Sequence, residues 1–272
     1  MIARVWQRGH TLVELMIALA LSLYLVTGLI QSLLANKQAF RFVVHQAQIN
    51  NSGLYALQVF EEHLQRAGYR NENFVSTSHL NGADAFNEND LFTTSAVVAG
   101  ANNVSGDSTI KPGTDVLHMR YFSALDGEFK DCRGANLEAQ HGLVTMSFFV
   151  DPENQLRCRG RQNAGGGRPS AVLLQGVAQM QVLYRLRQVD GASIVYMYLN
   201  ADEMNQRADQ SWRSVDAIKL VVVTTHEHGV TEQAATEVVQ VLDEFINLPG
   251  ERRSWKIFEA TYFLENALWI AE

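Results

Sequence analysis

From Leu12 to Ala35 the chain reads LVELMIALALSLYLVTGLIQSLLA, apolar at nearly every position, with Glu14 as its one charged residue. These 24 residues would rise about 36 Å as a helix, enough to cross a hydrocarbon core of ~30 Å. Beyond them the pattern changes. Apolar side chains return at Phe40, Val43, Ala47, Leu54, Leu57, Phe60, Leu64 and Ala67, in steps of three, four or seven. Gln46, Asn50, Gln58, Glu61 and Gln65 fill the opposite side, as an amphipathic helix requires. The spacing predicts one helix of about 55 residues, half in lipid and half laid against a globular head. Gly28 is its weak point and Gly68 its stop.

Asn71 to Thr114 is polar and rich in Asn, Gly, Ser and Thr, with a short apolar interruption at Ala96–Ala99. It reads as a long connection with little regular structure. Strand-like runs follow at Val116–Phe122, Leu143–Val150, Gln155–Arg159, Val172–Leu186, Ile194–Leu199, Ala217–Thr225 and Trp255–Leu264. Strands gathered behind one long helix predict an α+β fold, the helix covering one face of a mainly antiparallel sheet.

Composition refines this picture. A hydrophobic share of 47% against 19% charged residues is that of a chain with a packed core. The net charge of −7 provides no basic footprint, and no nucleic-acid partner is expected. Cys132 and Cys158 are too few for a structural zinc site and lack CxxC spacing. In a reducing compartment they read as two buried thiols, and outside the cytoplasm as a disulfide.

The N-terminus bears on that choice. Arg4 and Arg8 precede the apolar run, which favours a cytoplasmic N-terminus, although Lys37 and Arg41 on the far side weaken the bias. A secretory signal peptide has a shorter apolar core followed by a small-residue cleavage site. Here the run is longer, and the small residue, Gly9, precedes it. Glu14 needs its own account, because a carboxylate at mid-bilayer costs on the order of 3 kcal/mol. It can snorkel to the interface, line an ion path, or pair with a positive group from another subunit.

The string RGHTLVELMIALAL, Arg8 to Leu21, resembles the class III prepilin signature: a basic leader, glycine, then an apolar helix with glutamate at its fifth position. LLQGVAQMQVLYRL (Leu173–Leu186), WRSVDAIKLVVVTT (Trp212–Thr225) and WKIFEATYFLEN (Trp255–Asn266) resemble blocks of PilW-type minor pilins. These are relatives of the J-type minor pseudopilin of type II secretion. The resemblance implies a pilin-like fold and cleavage between Gly9 and His10 by a prepilin peptidase, which then N-methylates His10. The family usually has phenylalanine at that first mature position, where this chain has His10. Glu14 would meet the N-terminal amine of a neighbouring subunit during assembly, and the exported head would carry a Cys132–Cys158 disulfide.

The expected organisation is a leader over 1–9, a transmembrane assembly helix over 10–35, its amphipathic continuation over 36–70, and a periplasmic head over 71–272. The expected role is a minor pilin that primes or caps a type IV pilus, with a J-type pseudopilin as the alternative. Its implied partners are other minor pilins, the major pilin, the prepilin peptidase, the inner membrane and a tip adhesin. A single-pass periplasmic enzyme or binding protein is a further class, but it leaves Gly9 and Glu14 unexplained.

The remaining polar motifs fall short of chemistry. His226-Glu227-His228 puts two imidazoles at i and i+2 without a third ligand and reads as solvated strand-end histidines. Asp84 to Asp90, DAFNEND, offers oxygen ligands without EF-hand spacing and reads as a solvated acidic loop. Gly165-Gly166-Gly167 lacks the GK[ST] of a phosphate loop. Neither metal, cofactor nor catalysis is expected.

Overall fold

The computed structural model describes residues 11–69, 92, 96–122, 130–137, 143–162, 169–190, 193–207, 211–225, 236–249 and 255–267. The chain divides into two units, Met1–Ala47 and Gln48–Glu272. A single helix, α1 (Leu12–Leu64), supplies the described part of the first unit and continues into the second.

In the first unit the helix is long and apolar enough to cross a membrane, and its large apolar side chains from Leu12 to Val44 lie exposed. Gly28 does not interrupt it.

Among the described residues, the second unit is built from the last turns of α1 and eleven strands. A five-stranded antiparallel meander runs in sequence order: β1 (Val98–Val104), β2 (Thr114–Phe122), β3 (Leu143–Val150), β4 (Gln155–Gln162) and β5 (Ser170–Gln175). A four-stranded antiparallel sheet has the order β11-β8-β6-β7, from β6 (Val177–Asp190), β7 (Ser193–Leu199), β8 (Val215–Thr225) and β11 (Trp255–Phe263). The hairpin of β9 (Thr236–Val241) and β10 (Glu244–Pro249) packs Val241, Ile246 and Leu248 against Val221 and Val223 of β8. The short helix α2 (Ala201–Gln206) starts with a capping box between Asn200 and Glu203.

α1 buries Ile49, Gly53, Ala56, Val59, Phe60, His63 and Leu64. That stripe differs from the expected one, since Leu54 is exposed. Small residues decide the difference. Gly53 lies so close to the Phe258 ring of β11 that even a Cβ would overlap it. The helix can therefore bond the sheet directly: Thr224 Oγ1 donates to Ile49 O at 3.1 Å, and Tyr262 Oη donates to Leu57 O at 2.8 Å. The α1 stripe shares one buried cluster with side chains of both sheets, including Leu117, Phe148, Met180, Val182, Ile218 and Leu220.

Asp115 of β2 ties the sheets together, accepting from Asn103 N at 2.9 Å and from Val182 N of β6 at 2.7 Å. Burial, with Asp243 and Glu244 nearby, raises its carboxyl to about 7 despite those donors. Arg120, fully buried, donates from Nε to Ala96 O at 2.6 Å and stacks over Phe92. Burial lowers its guanidinium to about 9.

Two further expectations need correction. Asn71–Thr114 contains β1, because Val97 and Val98 bury their side chains while β1 pairs with β2. Asn103, at φ 44°, absorbs the break in register between Ala101 and Val104. The run Val172–Leu186 is two strands, broken at Gly176 in the left-handed region at φ 77°. The β9–β10 hairpin and α2 were not expected, being short and polar on one face. The helix ends at Leu64, and Gly68, at φ 78°, closes the following turn by donating to Arg120 O at 2.9 Å.

His63 packs against Phe148, ring centroids 5.5 Å apart, with Glu62, Arg66 and Asp131 as its charged neighbours. Burial lowers its imidazole from 6.5 to about 4. The folded state therefore favours the neutral ring. Its contribution is complete above pH 6.5 and is lost as pH falls toward 4. The buried carboxyl of Asp115 works in the opposite sense, losing stability as pH rises from about 4 to 7. Comparison with His63→Leu isolates the imidazole. Between pH 7 and pH 4 the wild type should lose about 3 kcal/mol relative to that variant. Denaturant unfolding of the detergent-solubilised chain measures this, and a pH-independent difference would contradict it.

Candidate functional site

Helix α1 begins with Thr11-Leu12-Val13-Glu14, a T-x-x-E capping box. Glu14 N donates to Thr11 Oγ1 at 3.3 Å, and Thr11 N donates to Glu14 Oε2 at 3.4 Å. Two backbone donors that the helix itself cannot satisfy thus find partners in side chains three residues apart. Such a cap contributes about 1 kcal/mol to the helix start. It also fixes Glu14 in the first turn, where the positive end of the helix dipole favours a carboxylate.

This arrangement gives Glu14 a local partner that the sequence reading overlooked. Thr11 was the missed residue, and its signal was a glutamate three residues on, at the start of an apolar run. A carboxylate offers about four lone-pair sites, so acceptance from Thr11 N is compatible with a further donor. Gly9 and His10 lie outside the described residues, as do Asp84–Asp90, Gly165–Gly167 and His226–His228.

The second candidate pair is far along the chain. Cys132 and Cys158 are joined, Cα atoms 6.2 Å apart, and the bond ties the turn after Lys130 to β4. Both cysteines are buried, and Phe148 is the cross-strand neighbour of Cys158. Asp131 shapes the turn, accepting from Arg133 N at 2.9 Å, Ala135 N at 3.0 Å and Arg133 Nε at 2.7 Å. Gly160 lets the turn approach β4, since a Cβ there would stand 2.9 Å from Asp131 Oδ2. Among the described residues no group of three His, Cys, Asp or Glu side chains is placed to hold a metal ion.

Comparison with known proteins agrees with both ends of the chain. Residues 142–266 match the family model of the Type IV Pilus-assembly protein W. Residues 7–30 match the Prokaryotic N-terminal methylation motif, a span that includes Gly9, His10, Thr11 and Glu14. A solved structure, the type IV-like pilin from Thermus thermophilus, is similar at 14% identity with a TM-score of 0.37, over 79% of this chain and 94% of that one. No curated protein matches the chain.

The chain is a type IV pilin-like protein with an α+β fold. Within that class it is a type IV minor pilin with a PilW domain over residues 142–266, anchored in the inner membrane by α1 and carried to the pilus at the cell surface. The family is one of structural pilins rather than enzymes.

The disulfide leads to a measurement. The two cysteines are 26 positions apart, and opening that loop should cost roughly 3–4 kcal/mol. Cys158→Ser should lower the unfolding free energy by that amount. Reductant should reproduce the loss in the wild type and add nothing in the variant. Identical melts of the wild type with and without reductant would contradict it.

Proposed function

We propose that this minor pilin takes part in starting or capping the filament rather than forming its bulk, within a complex of minor pilins. The observation that carries the proposal is the Thr11–Glu14 box at the start of an exposed apolar helix. It holds one carboxylate beside the point where processing would create a new amino terminus. Cleavage falls between Gly9 and His10, on the cytoplasmic side of the membrane, and His10 is methylated. The head then faces the periplasm, an oxidising compartment that keeps the Cys132–Cys158 bond closed.

During extraction, Glu14 receives the α-amine of an adjoining subunit. An ion pair in that low-dielectric setting is strong when satisfied and costly when broken, so correctly registered subunits are favoured. The immediate partners are other minor pilins and the major pilin. The prepilin peptidase acts earlier, and a tip adhesin is a further candidate. A head of this size suits an end of the filament better than a densely tiled shaft.

Two substitutions at Glu14 separate the local from the intersubunit role. Glu14→Gln retains the acceptor of a capping box but removes the charge, whereas Glu14→Ala removes both. Both variants should be cleaved normally. Both should fall at least tenfold in filament incorporation, measured by immunoblot of sheared pili. Normal incorporation of Glu14→Gln would show that charge is dispensable. Gly9→Leu should leave an unprocessed precursor in the membrane, read as a mass shift. Efficient processing of that variant would remove Gly9 from the proposed cleavage site.

A further inference from the structure

The four-stranded sheet ends at β7, and among the described residues β7 pairs only with β6. Register runs without a shift from Tyr184↔Leu199 to Asp190↔Ser193. Its sequence, Ser193-Ile194-Val195-Tyr196-Met197-Tyr198-Leu199, holds no charge and no proline. β-branched and aromatic residues favour an extended strand. Edge strands normally carry a guard against such pairing. β1 has a break in register and α2 against it, and β5 pairs with β4 through a break between Leu156 and Arg157. β11 bears Lys256 and Glu259 and is bonded to α1. β7 lacks all of these devices.

The side chains on this edge are also laid out for a neighbour. Ile194, Tyr196 and Tyr198 share the outer face and are 47%, 50% and 41% exposed. Arg185 stacks on Tyr196 at 4.6 Å and on Phe263 at 4.8 Å, and Asp216 holds it through two bonds of 2.7 and 2.9 Å. Its charge is thereby matched. Arg187, directly across from Tyr196, is exposed and has no acidic partner among the described residues. A strand arriving beside β7 with a carboxylate over Tyr196 would meet it. A second copy of β7 offers no acid, and the chain's net charge of −7 disfavours self-association.

We propose that the free edge of β7 pairs with an extended, acid-bearing strand from another pilin-class subunit, enlarging the four-stranded sheet in the assembled complex. Backbone hydrogen bonds supply the attachment, and Tyr196, Tyr198 and Arg187 select the incoming side chains. This rests on the minor-pilin reading above and names the surface that such a subunit would use.

The test places a photo-crosslinking phenylalanine analogue at Tyr196 of the full chain, expressed in cells that make pili. The same analogue at Val172, exposed on the edge strand β5, serves as the control. The expected result is an adduct at Tyr196, absent at Val172, whose mass spectrum contains peptides of a different pilin-class subunit. Ile194→Lys combined with Tyr198→Lys should reduce that adduct at least tenfold while leaving thermal unfolding unchanged. An adduct with a second copy, or no adduct at Tyr196, would overturn the proposal. Pilin adducts at Val172 alone would overturn the β7 pairing yet leave the minor-pilin role standing. Pili of normal number and composition in cells lacking the protein would count against the role itself.

Discussion

An apolar helix of 24 residues with a carboxylate in its first turn has few stable environments, and these govern the molecule. Water is excluded by the exposed leucines and isoleucines from Leu12 to Leu34. Lipid accommodates those side chains and satisfies no carboxylate. A bundle of like helices accommodates both, provided that each supplies a positive group at the matching depth. The head must then be compatible with a helix that changes surroundings. In the second unit, α1 is held through the stripe from Ile49 to Leu64 and by hydrogen bonds to β8 and β11.

That attachment explains why glycine and alanine replace larger apolar residues on the inward face. Gly53 and Ala56 bring the helix backbone near enough for Thr224 and Tyr262 to reach carbonyl oxygens directly. A leucine at either position would widen the gap and exchange those bonds for side-chain contact alone. The cost is helix propensity, about 1 kcal/mol for a glycine in a helix interior, offset by burial against Phe258.

Much of this was legible in the chain. The long helix, the α+β class and most of the strands followed from periodicity and from turn residues, with β3 matching residue for residue. The inward face of α1 was misread because small residues carry little weight in a hydrophobic pattern, although they decide how closely a helix can pack. β1 was hidden by Gly100, Asn102 and Asn103, polar or permissive residues that hydrogen-bonding to β2 holds extended. The break at Gly176 was invisible because both flanking strands are apolar enough to read as one. At the candidate site, Glu14 and the cysteine pair stood out by chemical incongruity. Thr11 did not, since a threonine beside an apolar run looks ordinary until its partner three residues on is considered.

The capping box also bears on how a subunit can wait in the membrane before assembly. A carboxylate left unsatisfied in hydrocarbon would favour displacement of the helix toward the interface. Acceptance from Thr11 N compensates part of that cost inside one chain, and the helix dipole contributes in the same sense. The bond is long at 3.4 Å, so an incoming ammonium could compete with it for the same oxygen at modest loss. An ammonium carries the full charge that the neutral amide of Thr11 lacks, so the carboxylate still gains from an incoming chain end. On the proposed reading, Thr11 therefore tunes the waiting state: it helps to hold Glu14 in the first turn without removing the advantage of finding a neighbour.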